Sequence, residues 1–369
     1  MTESLAPTVD SSRRLTLWFV LAEVLLVLAV PVLAFLGVRT LLGSRAGVFV
    51  ADAGPADPGY RALVDLSPVT AVVEVTEKRI SGLVLVTQPG AGEAGGSLVI
   101  VSADLLVDGV PLGSLGVPEA VAALERALNL RIPAVEVAEE SRWNDILGLR
   151  SYVIDNPDPV PGATGAPRFD VGPVIVDGFN AGAFLGSVSP DGSAQSLVFR
   201  RQVFWAALLE RPPESSDAVA ALLRSVAAGR FSVEALPTVP TTADVNGAEA
   251  RGLMVDAAEA EELLHEIVPF PGGAEPGDRL RVSIIDRTGD ADLLAIAARL
   301  GSSGYEVVNV GNASTFEAQA ETELVVPLGV VDDRVDALAR LVGAAVRDSE
   351  QIDADADGVV TLLVGVGDR

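Results

Sequence analysis

Apolar positions along this chain fall into three spacing regimes. Between Leu15 and Val38 they run almost unbroken, LTLWFVLAEVLLVLAVPVLAFLGV, with one charge, Glu23, among 24 residues. From about residue 60 to 235, short β-branched runs alternate with stretches at helical spacing. Val69 to Val75, Gly82 to Val86 and Leu98 to Val101 read as strands, with a turn near Lys78-Arg79. Pro118 to Leu128, Asn144 to Leu149 and Ala218 to Ala228 read as helices, the first opened by a proline and an acidic residue.

The last third is the most regular. Val282, Ile284 and Ile285 form a short strand that stops at the polar run Asp286-Arg287-Thr288-Gly289. Leu293, Leu294, Ile296, Ala297 and Leu300 recur at helical spacing, Gly301 and Gly304 end that helix, and Tyr305 to Val310 is a second strand. Thr322 to Leu328 is a third strand, Asp333 to Val346 a helix with Val335, Leu338, Leu341 and Val342 on one face, and Val359 to Val366 the last strand. The order β-α-β-β-α-β over residues 279–369 makes a two-layer α/β unit.

The segment 15–38 is a membrane-anchor candidate. At ~1.5 Å per residue it reaches ~36 Å, enough for a ~30 Å hydrocarbon core with tilt, and it exceeds the ~7–15 apolar residues of a cleaved leader. Arg13 and Arg14 favour a cytoplasmic leader over 1–14, with Arg39 and Arg45 partly offsetting them. The expected placement is single-pass, N-terminus in, with the bulk of the chain outside. Glu23 has two readings: a shallow carboxylate that snorkels or is protonated, or a contact to another membrane protein.

A net charge of −25 argues against nucleic acid as a partner, because a phosphate binder needs a basic face. The chain has no cysteine, so disulfides and thiolate metal sites are excluded. Residues 39–59 read as a linker, Gln88 to Gly96 as a Gly-rich connection without basic complement, and Pro237 to Asn246 as an interdomain linker before a helix over Ala248 to Val268. Residues 236–278 are thus expected to be linker with one helix.

The C-terminal pattern, Arg281 to Ser314 with Thr288-Gly289 and Val310-Gly311-Asn312-Ala313, resembles the LytR C-terminal domain. Asp286-Arg287 stand where that family often has Asn-Gly. Upstream, Leu98 to Val110, Glu119 to Ile132 and Arg201-Gln202-Val203-Phe204 leading into a helix resemble, in order and spacing, a LytR–CpsA–Psr catalytic domain over residues 60–235. The resemblance implies a mixed-sheet α/β (α+β) domain in a cell-envelope protein. Active members of that family move a glycopolymer-phosphate from a polyprenyl carrier to peptidoglycan. They use arginines around the pyrophosphate, acidic groups that help bind a divalent metal, and an apolar lipid pocket.

This sequence departs from that pattern at the chemistry. Ser102-Ala103-Asp104 keeps an acidic position and lacks the arginine, and the arginine three residues before Arg201 falls on Val198. Each lost donor costs ~2.7–4 kcal/mol of transition-state stabilisation. The resemblance therefore implies Arg200, Arg201 and Gln202 as ligand-binding residues in a domain without catalysis or cofactor. The expected partners are the membrane, a cell-wall glycopolymer or polyprenyl-phosphate lipid, and another envelope protein. The alternative is an active Mg2+-dependent phosphotransferase with Asp104 and Arg201 as catalytic residues, helped by Arg142, Arg150 or Arg168.

Three smaller constellations fit bland readings. Asp353 to Gly358 copies half a calcium loop, but Val364 stands where the bidentate Glu belongs. His265, the sole histidine, lies in an acidic helix without a nucleophile motif. Asn312-Ala313-Ser314 has the shape of a glycosylation sequon inside the domain pattern.

Overall fold

The computed structural model describes residues 54–90, 93–161, 167–187, 193–245, 248–275, 277–327, 333–349 and 359–365. The apolar segment 15–38 with Glu23 and the acidic run 353–358 lie outside these. Among the described residues no helix is long and apolar enough to cross a membrane.

The middle of the chain is organised by a five-stranded mixed sheet built from β2 (Val69–Thr76), β3 (Arg79–Thr87), β4 (Gly96–Ser102), β7 (Ala134–Glu139) and β12 (Phe231–Ala235), in the order β12-β4-β3-β2-β7. Glu77 and Lys78 take positive φ in the β2–β3 turn. Strand alternation then sorts the side chains onto two faces. Ala71, Val73, Leu83, Leu85, Val99 and Val101 pack under α1 (Val117–Leu128). Val72, Val84, Val86, Leu98 and Ile100 face α2 (Trp143–Leu147), α3 (Ala181–Gly186), α4 (Ala194–Glu210) and α5 (Ala218–Ala227). Short two-stranded ribbons complete this part: β5 (Leu106–Val107) with β6 (Val110–Pro111), β8 (Ser151–Asn156) with β11 (Gly172–Asp177), and β9 (Val160–Pro161) with β10 (Pro167–Phe169).

The expected linker over Pro237 to Asn246 and the helix starting at Ala248 are corrected. Residues Thr238–Val245 (β13) and Ala248–Val255 (β14) form an antiparallel ribbon, and the helix α6 (Ala257–Ile267) starts nine residues later than expected. Pro240 reads as a breaker but is tolerated in a strand without a neighbour on its far side, and Thr and Val suit a ribbon. Asp256 caps α6 by accepting from the Glu259 amide at 3.3 Å. Leu263, Leu264, Ile267 and Val268 then pack into the α1 side of the core.

The C-terminal sheet runs β1 (Arg61–Leu63), β16 (Glu306–Asn312), β15 (Arg281–Asp286), β19 (Val360–Val364), β17 (Glu323–Pro327), β18 (Ala345–Ser349). It is covered by α7 (Leu293–Ser302) and α8 (Asp333–Val342). Two features differ from the expected order. The helix predicted to Val346 stops at Val342, because Gly343 at φ 65° turns the chain into the extra strand β18. Residues 61–63, expected at the start of the middle domain, are the edge strand of this sheet instead.

Candidate functional site

Helix α4 carries the residues that the sequence singled out. The reading that Arg201 precedes a helix is corrected: it lies inside one, which starts at Ala194 with Ser193 and Ser196 capping each other's amides. Leu197, Arg200, Arg201, Phe204, Trp205 and Leu208 recur at helical spacing, so the two arginines occupy core positions in an apolar stripe. Both are 0% exposed.

Each guanidinium is paired within the protein. Arg201 Nε donates to Glu74 Oε2 at 2.6 Å, and Trp205 Nε1 donates to Glu74 Oε1 at 2.8 Å. Arg201 Nη2 donates to the Leu185 carbonyl at 2.9 Å and to that of Ser81, while Nη1 finds no partner among the described residues. The arginine lies directly over β3, where a Cβ on Gly82 would sit 2.4 Å from Nε. A bare backbone there is what admits the side chain.

Arg200, about 100° round the helix, turns elsewhere. It donates to Asp158 Oδ1 at 2.6 Å, to Asn156 Oδ1 at 3.2 Å and to the Ser187 carbonyl at 2.7 Å, and its guanidinium lies 5.6 Å from the Phe184 ring centroid. Burial pushes the Arg200 pKa below its ordinary value; the Asp158 hydrogen bond opposes this and the neighbouring Arg201 charge adds to it. Gln202 is half-buried beside them.

Asp104 makes no hydrogen bond or ion pair with either arginine among the described residues. It stands exposed in the turn after β4, held by its backbone: its amide donates to Ser102 Oγ at 3.1 Å, and its carbonyl accepts from the Leu253 amide at 3.0 Å. The other arginines also have separate partners. Arg142 pairs with Asp217 at 2.9 Å and Glu136 at 2.7 Å, and the Asp217 hydrogen bond foremost raises its pKa. Arg150 pairs with Glu214, and Arg168 lies 5.9 Å from the Phe169 ring centroid. Among the described residues no group of three His, Asp or Glu side chains is placed to hold a metal.

Beneath the arginines the face of the sheet is filled by aromatic rings. Phe204 meets Trp143, Trp205 and Phe184 at centroid distances of 5.6, 5.9 and 6.2 Å, and Phe184 meets Phe169 at 5.2 Å. These edge-to-face and tilted packings are the geometries that aromatic pairs prefer.

The polar turn after β15 is likewise satisfied internally. Asp286, 1% exposed, accepts from the Thr288 amide at 2.7 Å, the Thr288 hydroxyl at 2.9 Å and the Ala291 amide at 3.0 Å. Burial alone would raise its pKa, but the hydrogen bonds from Ala291, Thr288 and Gly289 outweigh it and hold the carboxyl below its ordinary value. Asn312 donates to the carbonyls of Pro55 and Asp57, both at 2.9 Å, clasping the segment that leads into β1.

No family model and no curated protein matches this chain. Among solved structures it matches LytR–CpsA–Psr proteins. The LytR-Csp2A-Psr enzyme from Actinomyces oris is 19% identical, with 57% of this chain and 96% of that one covered and a TM-score of 0.41. TagV from B. subtilis is 15% identical, with 55% and 95% covered and a TM-score of 0.41. TagT (YwtF) with bound octaprenyl pyrophosphate lipid is 14% identical, with 59% and 92% covered and a TM-score of 0.40.

Sequence reasoning missed Glu74, Asp158, Asn156 and Gly82, the groups that fix the two arginines. One signal was present for Glu74: it is the lone charge in the strand VTAVVEVT, on the face shared with Val72.

Proposed function

We propose that this is a membrane-anchored, extracytoplasmic cell-envelope protein that binds or positions a cell-wall glycopolymer, its polyprenyl carrier or an envelope enzyme, without transferring phosphate itself. The observation that carries the reading is the burial of Arg201 against Glu74. A guanidinium that stabilises a transferring phosphate must be free to meet it. Drawing Arg201 away would strand the Glu74 carboxylate in the core, a change that costs ~3–5 kcal/mol for pairs of this kind. Ala103 and Val198, where the resemblance expects arginines, point the same way. The envelope setting rests on the apolar run 15–38 and on the resemblance of the two domain patterns.

A binding role also has a candidate surface. Val153 and Ile175 are opposite each other on the outer face of the β8–β11 ribbon, and both are exposed. Leu149 and Phe179, 84% exposed, lie beyond the Ser151–Asp177 end of the ribbon. Exposed apolar side chains grouped at one end of a ribbon are a candidate contact surface.

The deciding experiment incubates the full-length protein with magnesium and a polyprenyl-diphosphate-linked glycan and follows cleavage of the pyrophosphate. The expected result is no turnover above the protein-free control. Turnover that disappears in Asp104→Asn would establish the phosphotransferase instead. Asp104 is exposed, so that variant tests chemistry without disturbing the core.

A further inference from the structure

A cavity of about 530 Å³ lies where the middle domain, α6 and the C-terminal domain meet. Its volume is in the range of small-molecule sites, which favour domain junctions. Leu128 at the end of α1, with Leu264 and Val268 from α6 and its cap, supplies aliphatic walls, and no Phe, Tyr or Trp among the described residues lines it. Such a lining suits a flexible hydrocarbon chain better than a flat ring or a sugar face, which favour aromatic partners.

The charges of the lining are matched among themselves. Helices α1 and α7 end here and bring their negative poles, while α6 starts here, at Ala257, and brings its positive one. Arg279, 8% exposed, answers both negative poles: Nη2 donates to the Asn129 carbonyl at 2.7 Å and Nη1 to the Gly301 carbonyl at 3.1 Å. Glu306, Asp278 and Glu261 are close enough to act on its charge. At the rim Asp108 pairs with Arg126 at 3.4 Å. An ammonium here would stand beside Arg279 and the start of α6, and a carboxylate beside Glu261 and two helix C-termini. Neither sign of charge is favoured.

Hydrogen bonding is what the lining leaves over. Arg279 Nε is buried and has no partner among the described residues, a donor whose isolation costs stability until an acceptor meets it. Glu261, exposed at the rim, makes no ion pair within 4 Å among the described residues and offers an acceptor. A hydroxyl both accepts and donates, and it carries no charge.

We propose that this cavity binds a medium-chain aliphatic alcohol, its chain between Leu128, Leu264 and Val268 and its hydroxyl accepting from Arg279 Nε and donating to Glu261. Burying the chain supplies the affinity, and the paired donor and acceptor select the head. This site is separate from α4 and independent of the function proposed above.

Isothermal titration of the full-length protein in a non-ionic amphipol with octan-1-ol tests the proposal. Octanoate, octylamine and 1-methoxyheptane are compared, the last an ether with the same heavy atoms and no donor. Ala127→Trp, which sets an indole at an exposed position of the cavity wall, is the matched control, so that partition into the amphipol cancels. The expected result is saturable one-to-one binding of octan-1-ol that Ala127→Trp abolishes. The ether should bind roughly three- to ten-fold more weakly although it is the more apolar, for want of one hydrogen bond. Glu261→Ala should weaken the alcohol by a similar factor and leave the ether unchanged. Octanoate and octylamine should both bind at least roughly ten-fold more weakly, each bringing a charge that the lining does not answer. No saturable heat, a charged head or the ether binding as tightly as the alcohol, or alcohol binding unchanged in Ala127→Trp or Glu261→Ala overturns it. Thermal melts that match the parent show that the two exposed substitutions leave the fold intact.

Discussion

Glu74 stands within a sheet of valines and leucines and accepts hydrogen bonds from two side chains of one helix, Arg201 and Trp205. Removing one charge of such a pair leaves the other buried without compensation. Glu74→Gln is therefore expected to lower stability by ~3–5 kcal/mol, while the double change to Met at 74 and 201 recovers most of that loss. Urea unfolding followed by Trp143 and Trp205 fluorescence measures both. A Glu74→Gln variant within about 1 kcal/mol of the parent would show that the pair is not what fixes the helix on the sheet. Part of this site was legible in the sequence. The two arginines were legible as candidates, but the sequence reading set them before a helix and open to a ligand, whereas they occupy the buried stripe Leu197 to Leu208 of one. Their partners were not legible, because Glu74 lies 127 residues away from Arg201 and meets it only through tertiary packing.

At the scale of elements, the strands and helices with strong periodicity were legible and those held by neighbours were not. β2, β3, β4, α1 and β15 through β17 lie where apolar spacing placed them. The β13–β14 ribbon was obscured by Pro240 and by the helix-forming residues of AEARGLMV, and its place is set by docking Leu253 on the turn at Asp104. β1, three residues long, has no period to read. It is positioned from outside: the Asn312 amide donates to the Tyr60 carbonyl at 2.9 Å, and the Gly59 amide to the Ala313 carbonyl at 2.9 Å. Gly311 permits this approach, since a Cβ there would lie 2.3 Å from the Tyr60 oxygen. Gly311→Val should expel the strand, lowering stability by about 1–3 kcal/mol as its hydrogen bonds are lost, and should speed tryptic cleavage after Arg61. An unchanged cleavage rate at Arg61 would contradict this account of the edge.

Across the whole molecule, the chain enters through the C-terminal sheet at β1, builds the middle domain, and returns to the same sheet at β15. Two connections therefore cross the seam, and backbone hydrogen bonds fasten both. The Ser67 amide donates to the Phe270 carbonyl at 2.9 Å, and the Arg131 amide to the Gly272 carbonyl at 2.9 Å. Arg279 adds a side chain that caps a helix end on each side, through the Asn129 and Gly301 carbonyls. Burial pushes its pKa below the ordinary value, with Glu306, Asp278 and Glu261 opposing, so the guanidinium remains the charged donor that both carbonyls need. Replacing it with Met keeps most of the aliphatic stem and removes both bonds. Hydrogen bonds to a charged group contribute ~1.5–3 kcal/mol each, and the relief of burying the charge offsets part of their loss. The net effect falls on the seam rather than on either core, so the two domains should lose coupling before they lose structure. Scanning calorimetry of Arg279→Met is expected to show two resolved transitions where the parent shows one. A variant that melts in a single transition at the parental temperature would mean that the paired connections and α6 hold the domains together without this residue.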